Sequence, residues 1–103
     1  MHQSASRLDD IGSEHNGFPP TTISSGSADT FVNGKPAARQ GDTLLAHKKP
    51  KHPTHPRHIA MGSPTVFING RAAARTGDAI SCGGNIATGS SNVFIGNKPR
   101  LGS

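Results

Sequence analysis

The sequence has too few large apolar residues to build a conventional hydrophobic core. Among 103 residues there is no Trp and no Tyr, there are only 4 Phe, and hydrophobic residues make up 31% of the chain. A chain this short buries a modest share of its surface, so small domains usually add disulfides, a metal or a partner chain. The composition therefore predicts one domain that depends on such an addition.

The single cysteine, Cys82, excludes an internal disulfide, because a bridge needs two cysteines. Six histidines accompany it, and Cys with His is a combination typical of metal sites. The 13 Gly and 8 Pro are also typical of disordered chains. The internal repeats described below argue against disorder over most of the sequence.

Long apolar runs are missing as well, which excludes a membrane-spanning helix. The first ten residues lack the apolar stretch of a signal peptide, so we expect synthesis in the cytoplasm. The net charge of +5 suits nucleic acid, anionic lipid or an acidic protein as partner. Its positive residues are scattered apart from Lys48, Lys49 and Lys51, and no aromatics interleave with them, which favours a solvated basic surface.

Two stretches of the chain repeat each other at a constant distance. Gly-Ser, an apolar run, Asn-Gly and R-x-G-D occur in residues 26–42 and again, 36 positions later, in residues 62–78. A truncated copy begins at residue 89, and residues 7–10 match the R-x-x-D tail of a copy whose front is missing. The first and last copies are thus expected to complete one unit together. Such repeats indicate one structural unit used several times.

Each unit indicates strands. The Val-Phe-Ile run 66–68 has the β-branched and aromatic enrichment of a strand. Asn-Gly at 33–34 and 69–70 predicts type I′ hairpin turns, which need positive φ at both residues. The alanines at 37–38 and 72–74 are too few to nucleate a helix, and we expect them to let strands approach closely near a narrow axis. Three similar units predict an all-β, pseudo-threefold structure with the turns at one pole and the variable loops at the other.

Each variable loop carries one good metal ligand at nearly the same point. His15 and His47 lie five residues after the aspartate of their R-x-x-D tails, and Cys82 lies four residues after its own. A second alignment matches His55 with Cys82, because Ile follows each by four residues and Gly by seven. These four residues form a Cys-His₃ set that suits tetrahedral zinc.

Other assignments of the six histidines remain open. His52 is the alternative to His47 as fourth ligand, since it stands three residues before His55. His58 aligns with an asparagine and is expected on the surface, while His2 is expected in a frayed terminus.

A saturated zinc shell leaves no position for an activated water, so the predicted site is structural. Iron or copper would also bind such donors by affinity. A zinc hydrolase would need an open position and a base, for which Glu14 is the candidate, but no H-E-x-x-H pattern is present.

The sequence resembles the PAAR-repeat family, named for the Pro-Ala-Ala-Arg tetrapeptide that stands intact at residues 36–39. The second copy, Ala-Ala-Ala-Arg at 72–75, has lost the proline, while the flanking G-S-x-x-V-F-I-N-G and R-x-G-D elements match the family pattern. The resemblance covers residues 7–99, which we expect to form the domain between a flexible N-terminus, 1–6, and a C-terminal tail, 100–103.

The resemblance implies a small conical all-β structure with pseudo-threefold repeats and one structural zinc ion at the apex. It implies a stand-alone tip, not an enzyme, that caps and sharpens the trimeric VgrG spike of a bacterial type VI secretion system and aids membrane puncture and effector delivery. Expected partners are the VgrG trimer at the base of the cone, secreted effectors and, transiently, a target-cell membrane. The tip is expected to be monomeric on its own, to bind no nucleic acid, and to travel from the cytoplasm to the cell exterior or target cell.

The apolar residues that flank the predicted turns are candidates for either the core or the docking face. They are Phe31, Val32, Phe67, Ile68, Phe94 and Ile95.

Overall fold

Short paired strands are the regular secondary structure of the described part of the chain, and no helix occurs in it. The computed structural model describes residues 2–14, 16–47, 51 and 55–96. The strands are β1 (His2–Ser4), β2 (Ile11–Gly12), β3 (Thr21–Thr22), β4 (Phe31–Val32), β5 (Lys35–Pro36), β6 (Thr43–His47), β7 (His55–His58), β8 (Phe67–Ile68), β9 (Arg71–Ala72) and β10 (Phe94–Gly96). They pair antiparallel as β1–β10, β2–β3, β4–β5, β6–β7 and β8–β9. The predicted all-β class is confirmed.

Two of these ribbons, β4–β5 and β8–β9, are hairpins closed by Asn-Gly turns. Asn33 and Gly34 have φ angles of 55° and 78°, and Asn69 and Gly70 have 54° and 79°. Positive φ at both central residues is what a type I′ turn requires. The sequence prediction for these turns is therefore confirmed.

The third equivalent ribbon is assembled from the two ends of the chain. β1 pairs with β10, with Ser4 opposite Phe94, just as Pro36 lies opposite Phe31 in the first hairpin. Residues 4–7, Ser-Ala-Ser-Arg, thus occupy the place of Pro-Ala-Ala-Arg, and Ala5 and Ser6 are buried. We expected residues 1–6 to be flexible, but pairing begins at His2, because the truncated last copy needs this strand to complete its unit.

A closed ring of three backbone hydrogen bonds joins the units around their axis. The N–H of Ser6 donates to the carbonyl of Ala74, that of Ala74 to Ala38, and that of Ala38 to Ser6, at 3.0, 3.0 and 2.9 Å. All three residues are almost fully buried. Only small side chains fit where three strands meet at one axis, which explains the run of alanines and confirms the expected pseudo-threefold arrangement.

The Gly-Ser pairs at 26–27, 62–63 and 89–90 make the corners of the three units. A Cβ at each glycine would lie 2.8–2.9 Å from a backbone oxygen, closer than real Cβ contacts. Each buried serine accepts hydrogen bonds through its hydroxyl oxygen from the N–H groups two and three residues further on. These local contacts hold each corner without a large apolar side chain.

Two small apolar clusters lie on either side of the ring of hydrogen bonds between Ser6, Ala38 and Ala74. On the loop side, one equivalent isoleucine per unit is buried, Ile23, Ile59 and Ile86, together with Leu44 and Ile80. On the hairpin side, Ile95 packs with Ala5 and Ala73. Within the described residues no helix is long and apolar enough to cross a membrane.

Candidate metal centre

An identical arginine–aspartate pair fixes the start of each variable loop. In every R-x-x-D tail the aspartate accepts hydrogen bonds from the arginine's backbone N–H, Nε and Nη2, and its own N–H donates to the arginine carbonyl. The closest side-chain contacts are 2.9 Å for Arg7–Asp10, 2.9 Å for Arg39–Asp42 and 2.7 Å for Arg75–Asp78. Because the three pairs are equivalent, the three loops leave the fold in equivalent directions.

Burial and hydrogen bonding act in opposite directions on two of these carboxyl groups. Burial on its own raises the pKa of Asp10 and Asp42, but the hydrogen bonds that each accepts from its arginine, together with a neighbouring hydroxyl, outweigh it. Their pKa values are thereby held below the ordinary value. The hydroxyls belong to Thr88 for Asp10 and to Ser25 for Asp42. Both carboxylates are therefore charged at neutral pH and form ion pairs with their arginines.

The structure brings two of the four predicted ligands together at the loop ends. Cys82 Sγ lies 3.6 Å from Nε2 of His47, although the two residues are 35 positions apart in sequence. His47 is 2% exposed and ends β6, whereas Cys82 is half-buried in the turn after Ile80. Two variable loops therefore meet at one point, as the pseudo-threefold prediction requires.

The hydrogen bonds of the His47 ring determine which nitrogen faces the cysteine as a donor atom. Nδ1 lies 3.0 Å from the backbone carbonyl of Pro19, which can only accept, so Nδ1 carries the proton. In the neutral ring, Nε2 is then the unprotonated nitrogen, and it is the one that faces Cys82. Phe18 stacks on the ring, with centroids 4.8 Å apart and planes inclined by 25°. A carbonyl partner that fixes ring orientation and tautomer is typical of metal-binding histidines.

The remaining predicted ligands have only partial placements. The backbone of His55 pairs with that of His47 across β6–β7, so both lie at the loop end of this ribbon. The side chain of His55 and the whole of His15 and His52 lie outside the described residues, and no group of three metal ligands occurs within them. His58 is exposed, in agreement with the prediction.

The observed pair of donor atoms fits a tetrahedral zinc ion. Zn–S bonds of about 2.3 Å and Zn–N bonds of about 2.0–2.1 Å, at a tetrahedral angle, separate the two donors by about 3.6 Å. The Sγ–Nε2 distance has this value. The donor chemistry, one thiol and one imidazole with its tautomer fixed, suits zinc equally well.

Sequence reasoning missed two residues of this region, Phe18 and Arg57. Phe18 gave no signal, because it lies in the part of the first loop that has no counterpart in the others. Arg57 is 1% exposed and lies among the loops. The sequence did indicate Arg57 as unusual, because it aligns with Gly84 of the next unit. A large cation therefore stands where the equivalent unit has no side chain.

The opposite pole of the fold carries a ring of exposed aromatic residues. Val32, Ile68 and Ile95 turn inward and pack in the hairpin-side cluster. The residue before each turns outward, so that Phe31, Phe67 and Phe94 are 56%, 59% and 54% exposed. The flanking apolar residues thus divide between core and surface. One phenylalanine per unit gives this face the same threefold repetition as the fold.

The fold and these two poles define a small three-unit β-structure that closes around a pseudo-threefold axis. The family model for the PAAR motif matches residues 18–88 and 50–101, well over half of the chain. The chain belongs to the PAAR-motif family, the family of type VI secretion spike tips. A search of the curated proteins found no match to this chain.

Proposed function

We propose that this protein is a structural tip that caps the trimeric VgrG spike of a type VI secretion system. The observation that carries the proposal is the ring of three exposed phenylalanines at the hairpin pole. A three-unit base presents the same residue three times, which matches a partner made of three identical chains. Exposed aromatics repeated in this way are typical of a protein–protein interface and are costly to leave in water.

A structural zinc ion is part of the proposal. His15, His47, His55 and Cys82 would hold it, with His52 as the alternative to His47. The contact between His47 and Cys82 supports His47 as the ligand. Zinc bound by four protein ligands supplies folding free energy in place of a larger core, and four protein ligands leave no position for a catalytic water.

The proposed mechanism is mechanical and has no chemical step. The base would close the free strand ends of the trimer, and the narrow loop pole would concentrate force during passage through a target-cell membrane. Secreted effectors would travel with the assembled spike from the bacterial cytoplasm to the cell exterior or target cell. The tip alone would be a monomer, because one copy already supplies all three units.

Binding to a purified VgrG trimer tests the proposal. Phe31→Ser, Phe67→Ser and Phe94→Ser should each weaken binding at least about tenfold, the effect of truncating an aromatic residue at an interface centre. The three losses should be similar, because a threefold partner contacts each unit alike. Titration calorimetry or surface plasmon resonance gives the affinities.

Leu45→Ser provides the matched control for the docking measurement. Leu45 is 56% exposed, as the phenylalanines are, but it belongs to β6 among the loops. This variant should bind the trimer with unchanged affinity. Equal binding by wild type and all three phenylalanine variants would overturn the proposed docking face.

A further inference from the structure

Arg57 is a large charged side chain enclosed between the three variable loops. It is 1% exposed, which makes it one of the largest fully buried residues of the fold. Among the described residues no carboxylate pairs with its guanidinium. A buried guanidinium without an anion is costly unless other groups solvate it. Its position therefore calls for an explanation beyond packing.

Oxygens of the first and third loops accept hydrogen bonds from the two Nη atoms of this guanidinium, while its buried Nε has no partner among the described residues. Nη1 donates to the hydroxyl of Thr21 at 2.9 Å and to the carbonyl of Gly12 at 3.4 Å. Nη2 donates to the carbonyls of Ser13 at 2.7 Å and Gly83 at 3.5 Å. Arg57 itself belongs to β7 of the second loop. One side chain thus joins all three loops by hydrogen bonds.

The sequence makes room for Arg57 by breaking the pseudosymmetry. Counting back two residues from the equivalent isoleucines of the units gives Thr21, Arg57 and Gly84. Thr21 supplies an acceptor for Nη1, and a Cβ at Gly84 would lie 2.8 Å from Oγ of Ser13 and 3.3 Å from Nη2. At this one position, the second unit therefore has the arginine, the first has a threonine that accepts its hydrogen bond, and the third has a glycine.

Arg57 and two of its hydrogen-bond acceptors, Ser13 and Gly83, lie close in sequence to proposed zinc ligands. Ser13 precedes His15 by two residues, and Arg57 follows His55 by two. Gly83 directly follows Cys82, and its carbonyl oxygen is 3.5 Å from Nη2 and 4.0 Å from Sγ of Cys82. The guanidinium is thus separated from the cysteine by a single shared carbonyl.

We infer that Arg57 is the positioning residue of the metal centre, holding the three ligand-bearing loops in register before zinc binds. This inference rests on the zinc site of the proposed function. Its fork of fixed N–H donors reaches two loops from a third, a task that a lysine ammonium cannot repeat with the same geometry. The free-energy cost of aligning the loops is then met by the folded protein and not by the metal.

Zinc affinity of Arg57 variants, measured by competition with a chromophoric chelator, tests the inference. Arg57→Gln and Arg57→Lys should each bind zinc 10- to 100-fold more weakly, the usual loss when a residue supporting the ligands is removed. The thermal shift between the zinc-loaded and chelated protein should shrink in proportion. Cobalt substitution should show an altered d–d spectrum, since ligand geometry changes.

Ser63→Ala is the control for a purely structural role. It removes a buried hydroxyl from the Gly-Ser corner at residues 62–63, which belongs to the hairpin side of the fold and not to the variable loops. It should lower the melting temperature with and without zinc equally and leave zinc affinity unchanged. The same behaviour in the Arg57 variants would overturn the inference.

The remaining outcomes separate the inference from the proposed function. If the wild type and both Arg57 variants bind zinc equally well, only the proposed role of Arg57 is contradicted. Wild type that binds no zinc overturns the metal centre and the role of Arg57 together. Docking to the VgrG trimer, read out separately, decides the spike-tip proposal in either case.

Discussion

At the scale of single residues, one position departs from the symmetry of the arginine–aspartate pairs. Thr88 Oγ1 accepts the N–H of Ile11 and donates to Asp10, and Ser25 Oγ accepts the N–H of Thr43 and donates to Asp42. The third equivalent position holds Met61, which has no hydroxyl and is 56% exposed. One of the three carboxylates therefore lacks the hydroxyl contact that the other two have.

Met61→Thr should restore this contact and stabilise the protein. By the symmetry of the units, the new hydroxyl would accept the N–H of Ala79 and donate to Asp78. One added hydrogen bond to a buried charged group contributes about 1.5–3 kcal/mol to the free energy of unfolding. Urea unfolding of the zinc-loaded protein measures the change. The reverse exchange, Thr88→Met, should destabilise, and a gain from it would contradict this account.

The same pairs predict how stability depends on pH. Burial opposes ionisation of Asp10 and Asp42, but their arginine and hydroxyl partners lower the pKa of each in the folded state. An unfolded aspartate has a pKa of about 3.9, so the stabilisation is complete above that value and is lost as the pH falls through the lower folded values.

Urea unfolding between about pH 5 and pH 2, with a chelator present, should therefore show decreasing stability. Because the chelator keeps the protein free of metal throughout, zinc loss does not contribute to the change. Asp42→Asn should be less stable at pH 5 and show a shallower decline, because it can no longer take up that proton. An unchanged slope in this variant would refute the assignment to Asp42.

At the scale of elements, the sequence predicted the strands and turns better than the loops. The Asn-Gly turns follow from local backbone preferences, which the repeat displays twice. The ribbon β1–β10 was expected only as two halves of one unit, and its start at His2 was not. Pairing between distant segments leaves little local signal, and the three residues of β1, His-Gln-Ser, include no apolar residue that would indicate a strand.

The contact between two candidate metal ligands was predictable to the extent that the repeat fixes equivalent positions. Alignment selected His47 and Cys82 from different loops, and the structure places their donor atoms 3.6 Å apart. The contacts of Pro19 and Phe18 with the His47 ring were not predictable, since they come from a loop of unique length. Loop interiors depend on tertiary contacts that no period in the sequence encodes.

At the scale of the whole molecule, the closure of three units makes one ribbon open and two closed. Val32 and Lys35 pair across the first Asn-Gly turn in the way that Ile95 and Gln3 pair in the open ribbon. Two residues would therefore suffice to connect β10 to β1. We therefore expect the contacts between units to determine the fold, whichever one of these three ribbons lacks a connecting turn.

A circular permutant tests this closure. Joining Ile95 to Gln3 through Asn-Gly and opening the chain between Asn33 and Gly34 exchanges one turn for another and keeps the ring of Ser6, Ala38 and Ala74. We expect wild-type zinc affinity and an unfolding midpoint close to that of wild type. A second permutant with the same join, opened between Ala38 and Arg39, interrupts that ring and should not fold. Circular dichroism and zinc titration distinguish the two, and failure of the first permutant to fold would show that the chain ends contribute more than the missing turn.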